Sequence, residues 1–551
     1  MVTDDVDLAK MLFFYWLLSL LSFTPFNPFH FANVSGETPD KPLPLDTGYE
    51  VETTTVFSVN GPHNADLVAS SSAQEVAYAP ESKTLDVEMH GEPEPVDVVL
   101  APAVKVDHIP LVTHVLSYSL SQLLVAVARI GSRPGLQSSW LCLFVILFLF
   151  RYVRLVVHII AYNSFKAKPV LENPTFTAKD VTVIIPTVEP RGQAFEECIH
   201  RVLANGPARV LVVTVGNENI GDATEYCKAL SPSILVLSVP APSKREQVKR
   251  AIPEIETAIT VLCDDTVFWP ETFLTHVLAP FEDGRVGIVG TCKRVRRALG
   301  RFGLADFWNL CGVMRLERTN FDLASTNAVD GGVSCVSGRT CAVRSCILQE
   351  PAFQEEFTSE YIFWKRFGPL NAGDDKWMTR WVMKRGWTVF HQSCPEVRIE
   401  TILGVKGGGA RFRGQCLRWA RSSARDNPKM IFRDGLWRRY PWTTYAVLAT
   451  SVVNYAMLYD PLLVYTLHKA MGGPDSRPLL LLLVLWILAT KFVRPASHYW
   501  RHPGDLVYAP FIILFGYYHS WIKLHALMTC WDISWGTRAG IDTAAKLPKA
   551  A

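Results

Sequence analysis

The chain has 551 residues, room for two to four domains, and 49% of them are hydrophobic, a share high for a wholly soluble protein. A net charge of +3 says little about partners, and no nucleic-acid partner is expected. Distribution says more. Between Ala32 and Pro110 there are fourteen Asp or Glu, three Lys and no Arg, in a stretch rich in Pro, Ser and Thr that reads as flexible. Ten of the twelve cysteines lie between Cys198 and Cys416, with no CxxC pair and no Cys/His metal spacing. That pattern argues against a zinc site and suits a reducing cytosol, a disulfided exterior domain being the alternative.

In chain order, Met11–Phe31 is apolar and long enough to enter a bilayer, although Pro25 and Pro28 interrupt it. Its leading residues include Asp4, Asp5 and Asp7, where a cleavable signal peptide would be basic, so a retained anchor over 1–31 is expected. Asn33-Val34-Ser35 is a glycosylation sequon just past this anchor. The acidic segment 32–139 then leads to a second span, 140–161. Arg151 and Arg154 in its far half, with Lys166 and Lys168 beyond, place that end in the cytosol and the acidic segment outside.

From Lys179 to about Pro428 strands and helices alternate. Val181–Pro186, Arg209–Val215, Ile234–Val239 and Ile259–Cys263 are buried-strand runs, and Gln193–Ala204 is a predicted helix between the first two. This pattern predicts an α/β, Rossmann-like, doubly wound and mostly parallel sheet in a domain spanning 162–428, without a G-x-G-x-x-G fingerprint. The stop at Pro186 puts a loop at the sheet's carboxyl edge, where a nucleotide base can lie.

Lys244-Arg245 follow the third strand in a Pro/Ser-rich loop and are candidates for binding a diphosphate, the alternative being a solvated basic turn. The fourth strand ends in Asp264-Asp265. Two adjacent acids there repel each other, and they make sense if Mg²⁺ or Mn²⁺ shares them with a substrate's phosphates. A solvated acidic turn is the other reading. Asp374-Asp375 form a second acidic pair, either a base for an attacking hydroxyl or the cap of a helix Lys376–Lys384. Gln415, Arg418 and Trp419 share a helix face at i, i+3 and i+4, bringing an amide, a guanidinium and an aromatic ring to one substrate. The competing reading is a basic helix resting on anionic lipid.

After a basic interfacial stretch, 429–441, the segment 442–530 holds two predicted spans, Trp442–Leu467 and Leu479–Val493. Val507–Thr529 is also apolar but carries Tyr517, His519, Lys523 and His525, so it is expected to lie along the membrane interface.

The order of Asp264-Asp265, Ser337-Gly338, Asp374-Asp375, Gln415-x-x-Arg418-Trp419 and Trp535-Gly536-Thr537-Arg538 resembles the family-2 inverting glycosyltransferases. Within them the chain is most similar to hyaluronan synthases and the fungal type-2 glycosyltransferases of the cell surface, over about Lys179 to Arg538. The resemblance implies a GT-A domain with flanking transmembrane helices. It implies metal and diphosphate binding at Asp265 and Asp264, and a catalytic base at Asp375 with Asp374 beside it. Ser337 and Gly338 would lie near donor sugar and acceptor, with Cys335 adjacent. Gln415, Arg418 and Trp419 would hold the acceptor end and leaving group. Trp535, Thr537 and Arg538 would belong to a gating loop over bound UDP in the tail 531–551. Two departures stand out: Thr214-Val215-Gly216-Asn217 replaces the D-D-G-S common after the second strand, and the further spans that follow WGTR in hyaluronan synthases do not follow here before Ala551. Subunits that combine into a homo-oligomer would then complete a translocation pore.

The expected activity is a multi-pass plasma-membrane enzyme with a cytosolic catalytic domain. It would use a UDP-sugar to extend a β-linked polysaccharide for the cell exterior or outer wall, in support of hyphal growth on surfaces. Two alternatives stand beside it: a non-processive transferase adding one sugar to a membrane lipid, and an inactive scaffold or surface receptor that retains the fold. The sugar itself is left open.

Overall fold

The computed structural model describes residues 138–216, 220–297, 303–405, 408–471 and 477–534. The N-terminal anchor, the acidic segment as far as residue 137, Asn33 and the Trp535–Arg538 motif lie outside the described residues.

The strands are β1 Val181–Pro186, β2 Arg209–Val215, β3 Ile234–Val239, β4 Ile259–Cys263, β5 Val267–Phe268, β6 Val286–Thr291, β7 Lys293–Val295, β8 Thr340–Arg344, β9 Thr388–Gln392 and β10 Ile399–Thr401. The first four and the helix Gln193–Ala204 have the bounds the sequence predicts. Seven strands form one sheet in the order β3-β2-β1-β4-β8-β6-β9. It is mixed, not simply parallel: β8 runs antiparallel between β4 and β6, while the other neighbours in the sheet pair in parallel. Register aligns Val183 with Val210 and Val261 on one face, and Ile184 with Leu211 and Leu262 on the other. Each row is buried in its own core. The first packs with Phe195, Trp269 and Phe273, the second with Trp377, Met378 and Trp381. Burial on both faces is why these strands read as unbroken apolar runs without alternation.

A smaller sheet, β5-β10-β7, borders the carboxyl edge of the large one and carries Lys293 at its start. The helix Gly408–Pro428 packs against Ala509–Met528, with Phe412 and Cys416 in the same core as Ile512 and Ile522.

Among the described residues one helix, Ser139–Ser164, is long and apolar enough to cross a bilayer. The predicted single span Trp442–Leu467 is corrected: Pro441–Val453 and Ala456–Met471 meet at 91°. The break falls at Asn454, whose ψ of 76° ends the first piece. It lets Asp460 on the second piece pair with Arg151 and accept from Lys491 at 2.8 Å and Tyr517 at 2.7 Å. Arg154 donates to the Ala446 carbonyl at 2.9 Å and to Thr450 at 2.7 Å. Both arginines are thus engaged by neighbouring helices as well as standing at the basic end of their own, although the Arg154 Nε has no partner among the described residues. Leu479–Val493 appears as the shorter helix Arg477–Thr490.

Candidate active site

Beyond β4 the chain turns sharply, and the Asp264 amide donates to the Arg339 carbonyl at 2.7 Å, tying the first acidic pair to the Ser337-Gly338 turn. Thr187, just past β1, donates its hydroxyl to Asp265 at 2.9 Å. The second acidic pair begins the helix Asp374–Lys384, two residues earlier than predicted. The cap is neither aspartate but Gly373, at φ 86°, a conformation that favours glycine. Asp374 and Asp375 therefore occupy the first turn, where the helix dipole favours negative charge.

Lys244 joins the two pairs. It stands in the first turn of the helix Lys244–Ala251, corrected from the predicted loop. Its Nζ donates to Asp264 at 2.6 Å and to the Gly338 carbonyl at 2.7 Å, and lies 3.4 Å from Asp374. Burial works against its charge, but Asp264 and Asp374 outweigh that and hold the ammonium well above the ordinary lysine value. Gly338 is needed for this closeness. A Cβ there would stand 3.1 Å from the Asp375 Cβ and 3.3 Å from the Lys244 Nζ.

Asp375 accepts from the Lys376 amide at 2.8 Å and the Gly338 amide at 3.3 Å. Burial, and then the neighbouring Asp374 carboxylate, push its carboxyl above the usual aspartate range, with Lys244 opposing. Its environment is that of a carboxylate made more basic.

Asp264, Asp265, Ser337, Gly338, Asp374, Asp375, Lys244, Gln415, Arg418 and Trp419 all line one cavity of about 500 Å³. The face shared by Gln415, Arg418 and Trp419 is turned to this cavity and not to lipid, while Phe412 and Cys416, on the flank beside Trp419, are buried in the core shared with Ile512 and Ile522. Burial draws the Arg418 guanidinium below its usual value, against the pull of Asp374 and Asp375. The Trp419 ring has the Arg315 and Arg339 guanidiniums 4.7 and 5.6 Å from its centroid. It is thus already a cation-binding ring.

Arg245 is a correction. It is only 1% exposed and points away from the cavity, donating to the Phe357 carbonyl and to Glu360, both at 2.8 Å. Successive helix residues diverge by about 100°, so Lys244 and its neighbour cannot serve one ligand together. Thr187, Arg315, Arg339 and Lys293 line the cavity and were not singled out from the sequence. Lys293 had a legible signal: β7 alternates, and its lysine shares the buried face with Val295.

A hard cation fits the Asp264-Asp265 pair in a particular way. Among the described residues the one group of three close His, Cys, Asp or Glu ligand atoms is His276, Cys394 and Glu396, elsewhere in the fold. No three of the site's carboxylates therefore converge on one point. A cation here would rest on one or two carboxylates and complete its shell with phosphate oxygens and water, as Mg²⁺ habitually does.

The profile described as "Glycosyltransferase like family 2" matches residues 178–422. A protein named type 2 glycosyltransferase from Zymoseptoria tritici is 39% identical over 411 residues, covering 74% of this chain and 85% of the relative. Its namesake from Gibberella zeae is 38% identical over 408 residues, covering 73% and 76%. The NDP-glycosyltransferase ltbB of Aspergillus luteorubrus is 29% identical over 309 residues, covering 53% and 72%. With both acidic pairs and the Gln-x-x-Arg-Trp face gathered at one cavity, this chain belongs to the family-2 glycosyltransferases and is a glycosyltransferase.

Proposed function

We propose that the chain is a membrane-embedded, processive, inverting glycosyltransferase that takes a UDP-sugar and extends a β-linked polysaccharide bound for the cell exterior or outer wall. The observation that carries this reading is convergence. Asp264-Asp265 and Asp374-Asp375, more than a hundred residues apart, are bridged by Lys244 and share a cavity with Gln415, Arg418 and Trp419.

In this reading Asp375 accepts the proton of the acceptor hydroxyl as that oxygen attacks the anomeric carbon. The bond to the departing UDP oxygen breaks on the opposite face, so the anomeric configuration inverts. Arg418, buried and facing the cavity, stabilises the charge gathering on UDP. Asp264 and Asp265 would hold Mg²⁺ or Mn²⁺, which when bound supplies positive charge for the diphosphate. Lys244 has its donors committed to Asp264, Asp374 and Gly338, so its role is to hold the two acidic pairs together, not to bind phosphate. Gating by Trp535, Thr537 and Arg538, glycosylation of Asn33, a cytosolic catalytic domain at the plasma membrane, homo-oligomeric pore completion and a role in hyphal growth on surfaces belong to the same proposal.

Asp375→Asn should abolish sugar transfer in a protein that still folds and inserts. Near-normal turnover would refute the base assignment. The second reading is transfer of one sugar to a membrane lipid, which the same cavity would serve. Product sizing decides between them, a single-sugar lipid adduct removing the polymer.

A further inference from the structure

Three lysines line this cavity, Lys244, Lys293 and Lys376, and the surroundings of the first two are opposite. Lys244 is saturated by two carboxylates and a carbonyl. Lys293 is 3% exposed, lines the same cavity, and its Nζ has no hydrogen-bond or ion-pair partner among the described residues. Its backbone is held from both directions: the Asn320 side chain accepts from its amide at 3.1 Å and donates to its carbonyl at 2.6 Å. Pairing of β7 with β10 fixes it further, with Lys293 opposite Ile399.

Charged and titratable groups that act on Lys293 include Arg339, Cys335, Asp375, Cys292 and His391. Asp375 is the proposed base. Lys293 thus lines the cavity within electrostatic reach of Asp375, toward which the acceptor must present its hydroxyl. Burial, with Arg339 adding to it, brings this lysine down to about 8. An ammonium on a buried side chain, left without a protein partner and open only to the cavity, costs stability, and the apolar alternatives at such a position are many. A fold that keeps one, rigidly placed and aimed at a substrate cavity, keeps it for the substrate.

We propose that Lys293 binds the acceptor, donating a hydrogen bond to an oxygen of the terminal acceptor sugar and so placing its hydroxyl against Asp375. This rests on the glycosyl-transfer reading of the cavity. Lys293 serves the acceptor side, and the donor nucleotide is bound without it.

The test uses the full-length chain in detergent or nanodiscs, with the UDP-sugar that the wild-type protein hydrolyses. Sugar appearing in elongated product and sugar released into water are measured separately. In Lys293→Met the ratio of the first to the second should fall roughly ten- to a hundredfold, the worth of a hydrogen bond to a charged group. The KM for the UDP-sugar should stay within twofold of wild type, and the melting temperature should be equal or higher, since an unpaired buried charge is gone. An unchanged ratio overturns the proposal. So does a rise in donor KM that matches the loss of transfer, which would put Lys293 on the nucleotide side, or a fall in melting temperature with transfer and hydrolysis lost alike, which would make it structural. Should the methionine variant not fold, Lys293→Gln is read by the same criteria. Asp375→Asn run in parallel separates the two levels: full activity there removes the site itself, whatever Lys293 does.

Discussion

Replacing Lys244 with methionine keeps the length of the side chain and removes one charge. Three acceptors lose their donor at once: Asp264 at 2.6 Å, the Gly338 carbonyl at 2.7 Å and Asp374 at 3.4 Å. Breaking a buried ion pair from one side costs about 3–5 kcal/mol. The Asp264 side chain is 34% exposed and Asp374 15%, so water takes up part of the loss, and about 3 kcal/mol is the reasoned figure. For a catalytic unit of this size that lowers the melting temperature by about 6–12 °C. The sign of the pH dependence follows from linkage. Lys244 has a folded value raised above its unfolded one, so its contribution is complete at all pH below the ordinary lysine value and lost only as pH rises through the folded value. The wild type thus keeps it throughout the working range. In the variant the carboxylates face one another without a cation, Asp375 loses the lowering pull of Lys244 and rises further, and its protonation at lower pH relieves the repulsion. The deficit should shrink between pH 7 and pH 5. Thermal unfolding of purified wild type and Lys244→Met at both pH values is the assay. No deficit at pH 7, or one that grows on acidification, refutes the bridging role.

Transfer should fall on the acid side as Asp375 is protonated, and because burial and Asp374 raise that group, the limb lies above the ordinary aspartate value of about 3.9. A pH–rate profile with its acid limb at or below about 4 would contradict this. Arg245→Met leaves Glu360 short of a partner at 2.8 Å in a site 1% exposed at the arginine. It should cost about 3 kcal/mol in a denaturation experiment, while the donor KM of the folded fraction stays unchanged, Arg245 being outside the cavity. Gly338→Ala must displace the Asp375 Cβ or the Lys244 Nζ by a few tenths of an ångström. A fall in kcat of roughly tenfold with stability nearly intact is expected from steady-state kinetics alongside a melting curve.

Much of the catalytic fold was legible because its strands are buried on both faces. A run such as Val181–Pro186 has no other reading once helices flank it, and β1 to β4 appear at the predicted bounds. β8 and β7 were not read. β8, Thr340–Arg344, mixes polar and apolar residues at its buried positions and ends in an arginine, so it lacks the unbroken apolar run of β1 to β4, and β7, although it alternates, is only three residues inside a basic run. The antiparallel insertion of β8 is decided by partners far along the chain. The bend at Asn454 was hidden for a similar reason: hydropathy averages over a window, and one polar residue in an apolar stretch does not interrupt it. What the bend permits is Asp460 reaching Arg151, Lys491 and Tyr517, residues from three other segments.

The acidic pairs were legible as pairs because adjacency is a property of sequence. Their meeting was not, because it depends on Lys244, whose neighbour Arg245 looked like an equal candidate. Only the helix that begins at Lys244 separates them, turning one toward Asp264 and the other into the Phe357–Glu360 wall. The same geometry explains how the site survives its own repulsion. Four carboxylates at one cavity are offset locally, by Lys244 between the pairs, by amides of Gly338 and Lys376 on Asp375, and by a helix N-terminus beneath Asp374 and Asp375. The acids are thus stabilised before any substrate arrives. The cation at Lys293 is not, and it is there that the fold leaves a charge for the substrate to answer.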